Sequence, residues 1–320
     1  MSTKTAILQM EGLKKEILKT LTYFNLFNYP LQKREIFIFL GKPCSFSEFE
    51  AALEDLVRHG NIHPIGDNYS LFDNYALAER RREGNERAAQ LMKKAQAAAT
   101  NIGKFPFVRG VAVSGSLSKR VADKNSDIDF FIITAPNRLW IARSILHFFK
   151  KFTFLVNLQD HYCMNYFIDE AEPVIIEKNI YTATEVVTLI PMIGCRSFTG
   201  FFRSNRWTNS FFPNNYLHIS AADEIKTGRI AQWLEKALNN SFGNWLDGWL
   251  MKITDSSWRA KTRRNKKNSK GLPMGMHTGP HFSKPDPIHF QRRLLQRFNR
   301  SVKEVIGQYE AMAEIRNKTV

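Results

Sequence analysis

The sequence predicts a mixed α and β chain: a small α/β core set between a compact helical module at the N-terminus and a helical region at the C-terminus. Two observations carry that expectation. β-Branched and apolar runs at Val108 to Ser114, Ile128 to Thr134 and Tyr162 to Ile168 are interrupted by a helical pattern over Asn137 to Lys151, whereas both flanks repeat their apolar residues mainly at helical spacing. The chain also has 320 residues, 43% of them hydrophobic and 25 of them Phe, enough apolar surface for several cores in two or three domains. A chain disordered throughout is excluded.

Taken in order, residues 11 to 26 place Leu13, Ile17, Leu18, Leu21 and Phe24 at helical spacing, and Tyr29-Pro30 breaks the pattern before a second helix from Leu31 to Leu40. Ser47 followed by Glu50 makes a capping box for a third helix, which turns Phe49, Ala52, Leu53, Leu56 and Val57 inward and stops at Gly60. Ile62 to Pro64 and Tyr69 to Phe72 then form a hairpin around a Gly-Asp-Asn turn. Three helices and a hairpin over residues 1–73 resemble a winged helix-turn-helix. That resemblance implies DNA contact through the third helix, but the segment carries Glu48, Glu50, Glu54 and Asp55 against Arg58. Phosphate contacts need cations, so a packing or protein-contact module is expected.

Residues 74–104 read as a connecting helix, single or divided at Gly84, with Arg80-Arg81-Arg82 on a solvated face. The α/β core is placed at 105–182. The remainder, 183–320, reads as helical: Ala183 to Cys195, then Ala222 to Ile253 with Trp233, Trp245 and Trp249 directed into a core, and finally Ile288 to Arg316. Between the last two, residues 259–270 hold seven cations and no acid, a basic linker or a contact for a polyanion. No aromatic residue lies inside it, so base stacking is not suggested.

Lys plus Arg outnumber Asp plus Glu by 46 to 30, a net charge of +16 that favours an anionic partner. Cys44, Cys163 and Cys195 offer neither a disulfide framework nor a paired zinc site. The most apolar window, Leu139 to Leu158, is broken by Arg143, His147, Lys150 and Lys151, and the first residues lack the apolar stretch of a signal peptide. A cytoplasmic protein without a membrane partner is expected.

The chemistry is concentrated in Val111-Ala-Val-Ser-Gly-Ser-Leu-Ser-Lys-Arg-Val-Ala-Asp-Lys-Asn-Ser-Asp-Ile-Asp-Phe-Phe-Ile-Ile133. A strand ends at Gly115-Ser116, and Asp127-Ile128-Asp129 opens the next after ten intervening residues. Gly115 lets a ligand approach the backbone closely, while Ser116 and nearby N–H groups can donate to phosphate oxygens. Two residues apart on a strand, Asp127 and Asp129 bring both carboxylates to one side, as a magnesium site for phosphoryl chemistry requires.

This order and spacing resemble the nucleotidyltransferase superfamily of the DNA polymerase β type: Gly-Ser, a gap near ten, then Asp-x-Asp, here preceded by Ser126. The resemblance covers mainly residues 108–170. It implies a small mixed sheet flanked by helices, and transfer of a nucleoside monophosphate from an NTP to an acceptor hydroxyl with release of pyrophosphate. It further implies Mg²⁺ on Asp127 and Asp129, a two-metal site, and phosphates anchored by Gly115, Ser116 and Lys119. The acceptor is left open among a small molecule, a protein side chain and an RNA end. An alternative class is a nucleic-acid-binding or scaffold regulator whose α/β domain only binds a nucleotide.

Two departures from the family pattern stand out. Minimal members often carry Gly four residues after the motif Ser, where this chain has Arg120, able either to add a phosphate contact or to obstruct one. The third carboxylate of the family should lie mid-strand within His161 to Asp169, where the polar residue is Asn165. The third acid is then absent, or is Asp169 brought in by a bulge, or Asp160 under different strand limits. His277, His281 and His289, with Asp286, lie in a Gly/Pro-rich segment; the spacing fits no common zinc pattern, and a surface loop is expected.

Overall fold

The computed structural model describes residues 3–124, 126–153, 163–215, 222–264, 266–267, 275–285 and 290–319. Among them it has mixed α and β architecture, with eleven α-helices and two sheets.

The N-terminal module comprises α1 (Thr3–Asn25), β1 (Leu31–Gln32), α2 (Lys33–Ile38), α3 (Phe46–Arg58), β2 (His63–Ile65) and β3 (Asn68–Ser70). Its three strands pair antiparallel in the order β1-β3-β2, with Leu31 opposite Tyr69 and His63 opposite Ser70. The second helix is shorter than its apolar pattern suggests because Leu31 and Gln32 extend to pair with β3. The cap of α3 is Ser45, whose hydroxyl accepts from the Glu48 amide at 3.2 Å, so the expected Ser47/Glu50 box is displaced by two residues. Glu50 pairs with Lys33 at 2.9 Å instead.

α4 (Tyr75–Ile102) runs unbroken through Gly84, whose carbonyl accepts from the Ala122 amide at 3.2 Å. The expected solvated Arg80-Arg81-Arg82 face is corrected at its centre. Arg81 is buried, ion-paired with Glu35 at 2.8 Å, hydrogen-bonded to the Pro30 carbonyl and held over the Tyr29 ring. It fastens α4 to the N-terminal module.

The chain continues through β4 (Val108–Val113), α5 (Gly115–Ser118), β5 (Asp129–Thr134), α6 (Leu139–Thr153), β6 (Cys163–Asp169), α7 (Ile180–Val187), β7 (Ile190–Ile193) and α8 (Cys195–Ser204), with a 3₁₀ turn at Arg206–Ser210. It ends with α9 (Arg229–Leu238), α10 (Ser241–Arg263), β8 (Met276–Thr278), β9 (Phe282–Pro285) and α11 (Phe290–Thr319). The larger sheet has the order β7-β4-β5-β6-β9-β8, antiparallel at every pair except the parallel β5 and β6.

Both faces of this sheet are covered, which is why its central strands read as continuous apolar runs. Val111, Val113, Phe130, Ile132 and Phe167 pack on one side with Ala95 and Ala99 of α4 and Trp140 of α6. Ala112, Phe131, Ile133 and Ile168 pack on the other with Phe198, Phe201 and Phe202 of α8.

The expected helix from Ala183 to Cys195 is corrected: it ends at Val187, and Ile190 to Ile193 form an edge strand where Pro191 lacks only a dispensable donor. The expected all-helical C-terminal region also supplies β8 and β9 to the same sheet, so the sheet draws strands from both sides of residue 182. α11 returns to the start of the chain, where Phe298 meets Tyr23 edge-on at 5.5 Å and Tyr309 donates to Glu11 at 2.7 Å. Among the described residues no helix is long and apolar enough to cross a membrane.

Candidate functional site

The turn after β4 and the start of β5 are fastened together. The Ser114 amide donates to the Asp129 carbonyl at 2.9 Å, and Gly115 follows with φ +65°, a conformation that strains residues bearing a side chain. A Cβ on Gly115 would stand 2.8 Å from Asp129 Oδ2, so the absent side chain is what lets this turn lie against the carboxylate. Ser116 is exposed beside it, while Leu117 is buried and anchors the turn.

Asp127 and Asp129 are both half-buried and flank Ile128, which is fully inside the core on the α4 side. β5 starts at Asp129, so Asp127 lies just ahead of the strand and not on it as expected, yet both acids act on one group. That group is Cys163, the partner of Asp129 in the parallel register between β5 and β6. Burial pushes its thiol up to about 12, helped by the charge of Asp129, a hydrogen bond with Asp129 and the charge of Asp127. Cys163 thus stays a protonated thiol at neutral pH, beside both carboxylates.

The third-acid candidates divide cleanly. Asn165 falls at a register irregularity between the pairs Phe130–Met164 and Phe131–Tyr166, so it has no strand partner opposite. Asp169 pairs in register with Thr134, at the far end of β5 from Asp129, about 16 Å along the strand. It is fully buried there and accepts from the amides of Asn137, Ala171 and Glu172 at 2.9, 3.0 and 3.2 Å, with His281 Nδ1 at 3.0 Å. It organises the loops at that end of the sheet. Asp160 lies outside the described residues.

Lys119 reaches Glu185 of α7 at 2.9 Å and the Gly115 carbonyl at 3.0 Å, so its charge braces the turn. Its carbonyl accepts from the Tyr29 hydroxyl at 2.9 Å, which joins the N-terminal module to the same turn. Ser126 closes a tight turn by accepting from the Asp123 amide at 2.8 Å. Arg120 is exposed at φ +58°, a left-handed position that a glycine occupies without cost. Tyr181, on the first turn of α7, completes the surroundings: burial raises its phenol well above the usual range, with Glu185, Tyr23 and Asp129 adding to the effect.

Cys163, Tyr181 and Glu185 were not found from the sequence. Strand parity points to Cys163 as readily as to Asn165, but only the irregularity at Asn165 shows which residue lies opposite Asp129.

Of the expected site residues, Asp127 and Asp129 are the two whose chemistry could hold a metal. Two hard oxygen donors beside an open turn fit a Mg²⁺ that takes its remaining ligands from phosphate and water, whereas a protonated thiol adds nothing to such an ion. Among the described residues no group of three or more His, Cys, Asp or Glu side chains is arranged to hold a metal. His277 is 3.8 Å from Glu177 and His281 is engaged by Asp169; His289 and Asp286 lie outside the described residues. Of the basic run, Arg259 to Arg263 form the last turns of α10, and Arg264, Lys266 and Lys267 follow exposed.

Comparison with known proteins gave no match to a family model, a curated protein or a solved structure.

Proposed function

We propose that this chain is a Mg²⁺-dependent nucleotidyltransferase that moves a nucleoside monophosphate from an NTP to an acceptor hydroxyl, releasing pyrophosphate. The observation that carries the reading is the seating of Gly115, at positive φ, directly against the Asp129 carboxylate. It joins the two halves of the motif into one place, where a phosphate group can approach main chain and carboxylate together. The antiparallel β4 and β5, the parallel β6 and the helices on both faces also support the small nucleotidyltransferase core, preceded by a winged-helix-like module.

Asp127 and Asp129 would hold the ion, which supplies charge neutralisation on the triphosphate. Gly115 lets the turn close on Asp129, and the exposed Ser116 hydroxyl would donate to the phosphates. Lys119 keeps the turn in position through Glu185. The acceptor would be a small molecule, a protein side chain or an RNA end.

A second reading, nucleotide binding without transfer, is favoured by one observation: the residue opposite Asp129 is Cys163, a neutral thiol that neither adds a ligand to Mg²⁺ nor takes a proton from the attacking hydroxyl. One experiment separates the two. The purified chain is incubated with Mg²⁺, each of the four NTPs and pools of acceptors, with pyrophosphate assayed and products weighed by mass spectrometry. Transfer is expected, and Asp127→Ala and Asp129→Ala should each abolish it. Saturable Mg²⁺-NTP binding with no product in any pool would establish the second reading.

A further inference from the structure

The spacing of Phe242, Trp245, Trp249 and Ile253 suggests burial, but these side chains are exposed at 57%, 60%, 48% and 47%. They form one stripe along the outer side of α10, its rings stacked on one another at 5.7 and 6.2 Å, while Leu246 and Leu250 turn inward to Phe107, Ile141 and Ala142. Residues 239–240 join α10 to α9, which exposes Ile230 and Trp233 at 79% and 67%. Six large apolar side chains on two successive helices exceed the scattered exposure normal for a surface.

The fully exposed charges of α9 and α10 are all cations. The acids of both helices are engaged: Glu235 by Arg109 at 2.8 Å, Asp247 by the Ile141 amide at 2.9 Å, and Asp255 by Arg259 and Thr278 at 2.7 Å each. Lys252 lies in the stripe, and Arg263, Arg264, Lys266 and Lys267 prolong it with exposed or half-exposed cations. A second copy is a poor occupant, since the chain carries +16 and both faces would bring cations. Single-stranded nucleic acid is a weaker match, since Ile230 and Ile253 have no π-face to offer a base and the densest run of cations, Arg263 to Lys267, lies beyond the last ring of the stripe. An apolar stripe rich in tryptophan, continuous with a basic end, matches an anionic bilayer surface, where indole rings sit at the headgroup level and cations meet lipid phosphates.

We propose that the outer face of α10, with Ile230 and Trp233 of α9, docks this protein peripherally on anionic lipid. The expectation of no membrane partner rested on the lack of a spanning segment, which this mode of contact does not need.

The test uses the full chain and sucrose-loaded vesicles of phosphatidylcholine alone or with about one third phosphatidylglycerol, read by sedimentation and by indole emission. Binding to the anionic vesicles with a blue shift is expected, roughly tenfold or more weaker on neutral vesicles and on raising the salt. The double variant Trp245→Ala/Trp249→Ala should bind roughly tenfold more weakly, with unchanged thermal unfolding because both rings are exposed. Charge reversal at Arg263 and Arg264 should weaken it similarly without touching the rings. Equal sedimentation of wild type and tryptophan variant, or none of the wild type, overturns the proposal. So does a face that proves to bind a single-stranded RNA 20-mer or a second copy, either being lost in the tryptophan variant while vesicles are ignored.

Discussion

Replacing Cys163 by Asp puts a carboxylate at the position that the register sets opposite Asp129. Adjacent strands lie about 4.8 Å apart, and two unit charges about 5 Å apart in an effective dielectric of about 20 repel by about 3 kcal/mol. Asp127 and Asp129 are half-exposed, so water and salt reduce this to about 1 to 2 kcal/mol per neighbouring acid. In EDTA the variant should melt several degrees below wild type. A divalent cation reverses the sign, because the crowding that destabilises the apo form becomes attraction for Mg²⁺. With two neighbouring acids the relief is about 2 to 4 kcal/mol, and at 1.4 kcal/mol per factor of ten Mg²⁺ should bind Cys163→Asp roughly 30- to 700-fold more tightly than wild type.

The assay is a Mg²⁺ titration by calorimetry with a non-hydrolysable NTP present, followed by the rate of pyrophosphate release at saturation. Asn165→Asp is the matched control, since it adds the same charge two residues along β6 at an irregularity without a strand partner. If Asn165→Asp tightens Mg²⁺ as much as Cys163→Asp does, the placement of the site around Cys163 is wrong.

Gly115→Val should cost about 1 to 3 kcal/mol of stability and most of the NTP affinity, since a β-branched residue is strained at φ +65° and its Cβ meets Asp129 at 2.8 Å; calorimetry and thermal melts report both losses. Asp169→Ala should lower the melting temperature strongly, because it strands three backbone donors and His281, yet leave Mg²⁺ affinity in the surviving folded protein near wild type. Burial raises the carboxyl of Asp247 to about 6 against hydrogen bonds from the Ile141 and Trp140 amides, so its contribution is full below 3.8 and lost as pH rises through about 6. Asp247→Asn should therefore gain stability relative to wild type between pH 4 and pH 7, by up to about 3 kcal/mol in denaturant melts. Burial lowers His147 to about 3, so its contribution is present above 6.5 and lost as pH falls. The slopes oppose one another, and His147→Phe should flatten the acid side that Asp247→Asn steepens.

The strands carrying the motif were legible because β4 and β5 are buried on both faces and are joined through a turn whose chemistry is local, with Gly115 for the left-handed backbone. The partner of Asp129 was not legible, because register across strands distant in sequence depends on one extra residue at Asn165 that local preference does not mark. β7 was hidden for a related reason. Pro191 marks a break from the helix, but a run of four residues does not declare itself a strand until it pairs with β4. On α10, apolar residues occupy two sides of the helix, and periodicity alone cannot say whether Leu246 and Leu250 or Trp245 and Trp249 face inward.

The N-terminal module's place in the fold also bears on what it does. Its core is completed by Ala183, Phe212, Phe298 and Tyr309, all from the opposite half of the chain, so it is built into the body of the protein. Two contacts tie it to the candidate site, Tyr29 to the Lys119 carbonyl and Tyr23 beside Tyr181 and Glu185, while Arg81 and Glu35 tie it to α4. The Lys119 side chain is gripped in turn by Glu185, so residues from before and after it in sequence hold the turn that carries Gly115. The outward acids of α3 give duplex DNA nothing to replace its counterions with, and Lys33 is spent on Glu50. Removing the Tyr29 hydroxyl breaks one of these braces without touching the acids. Tyr29→Phe should therefore lower NTP affinity modestly, by roughly two- to tenfold, the loss expected from one hydrogen bond. Unaltered NTP affinity in Tyr29→Phe, together with unaltered affinity in Glu185→Gln, would show that the turn keeps its shape without the module.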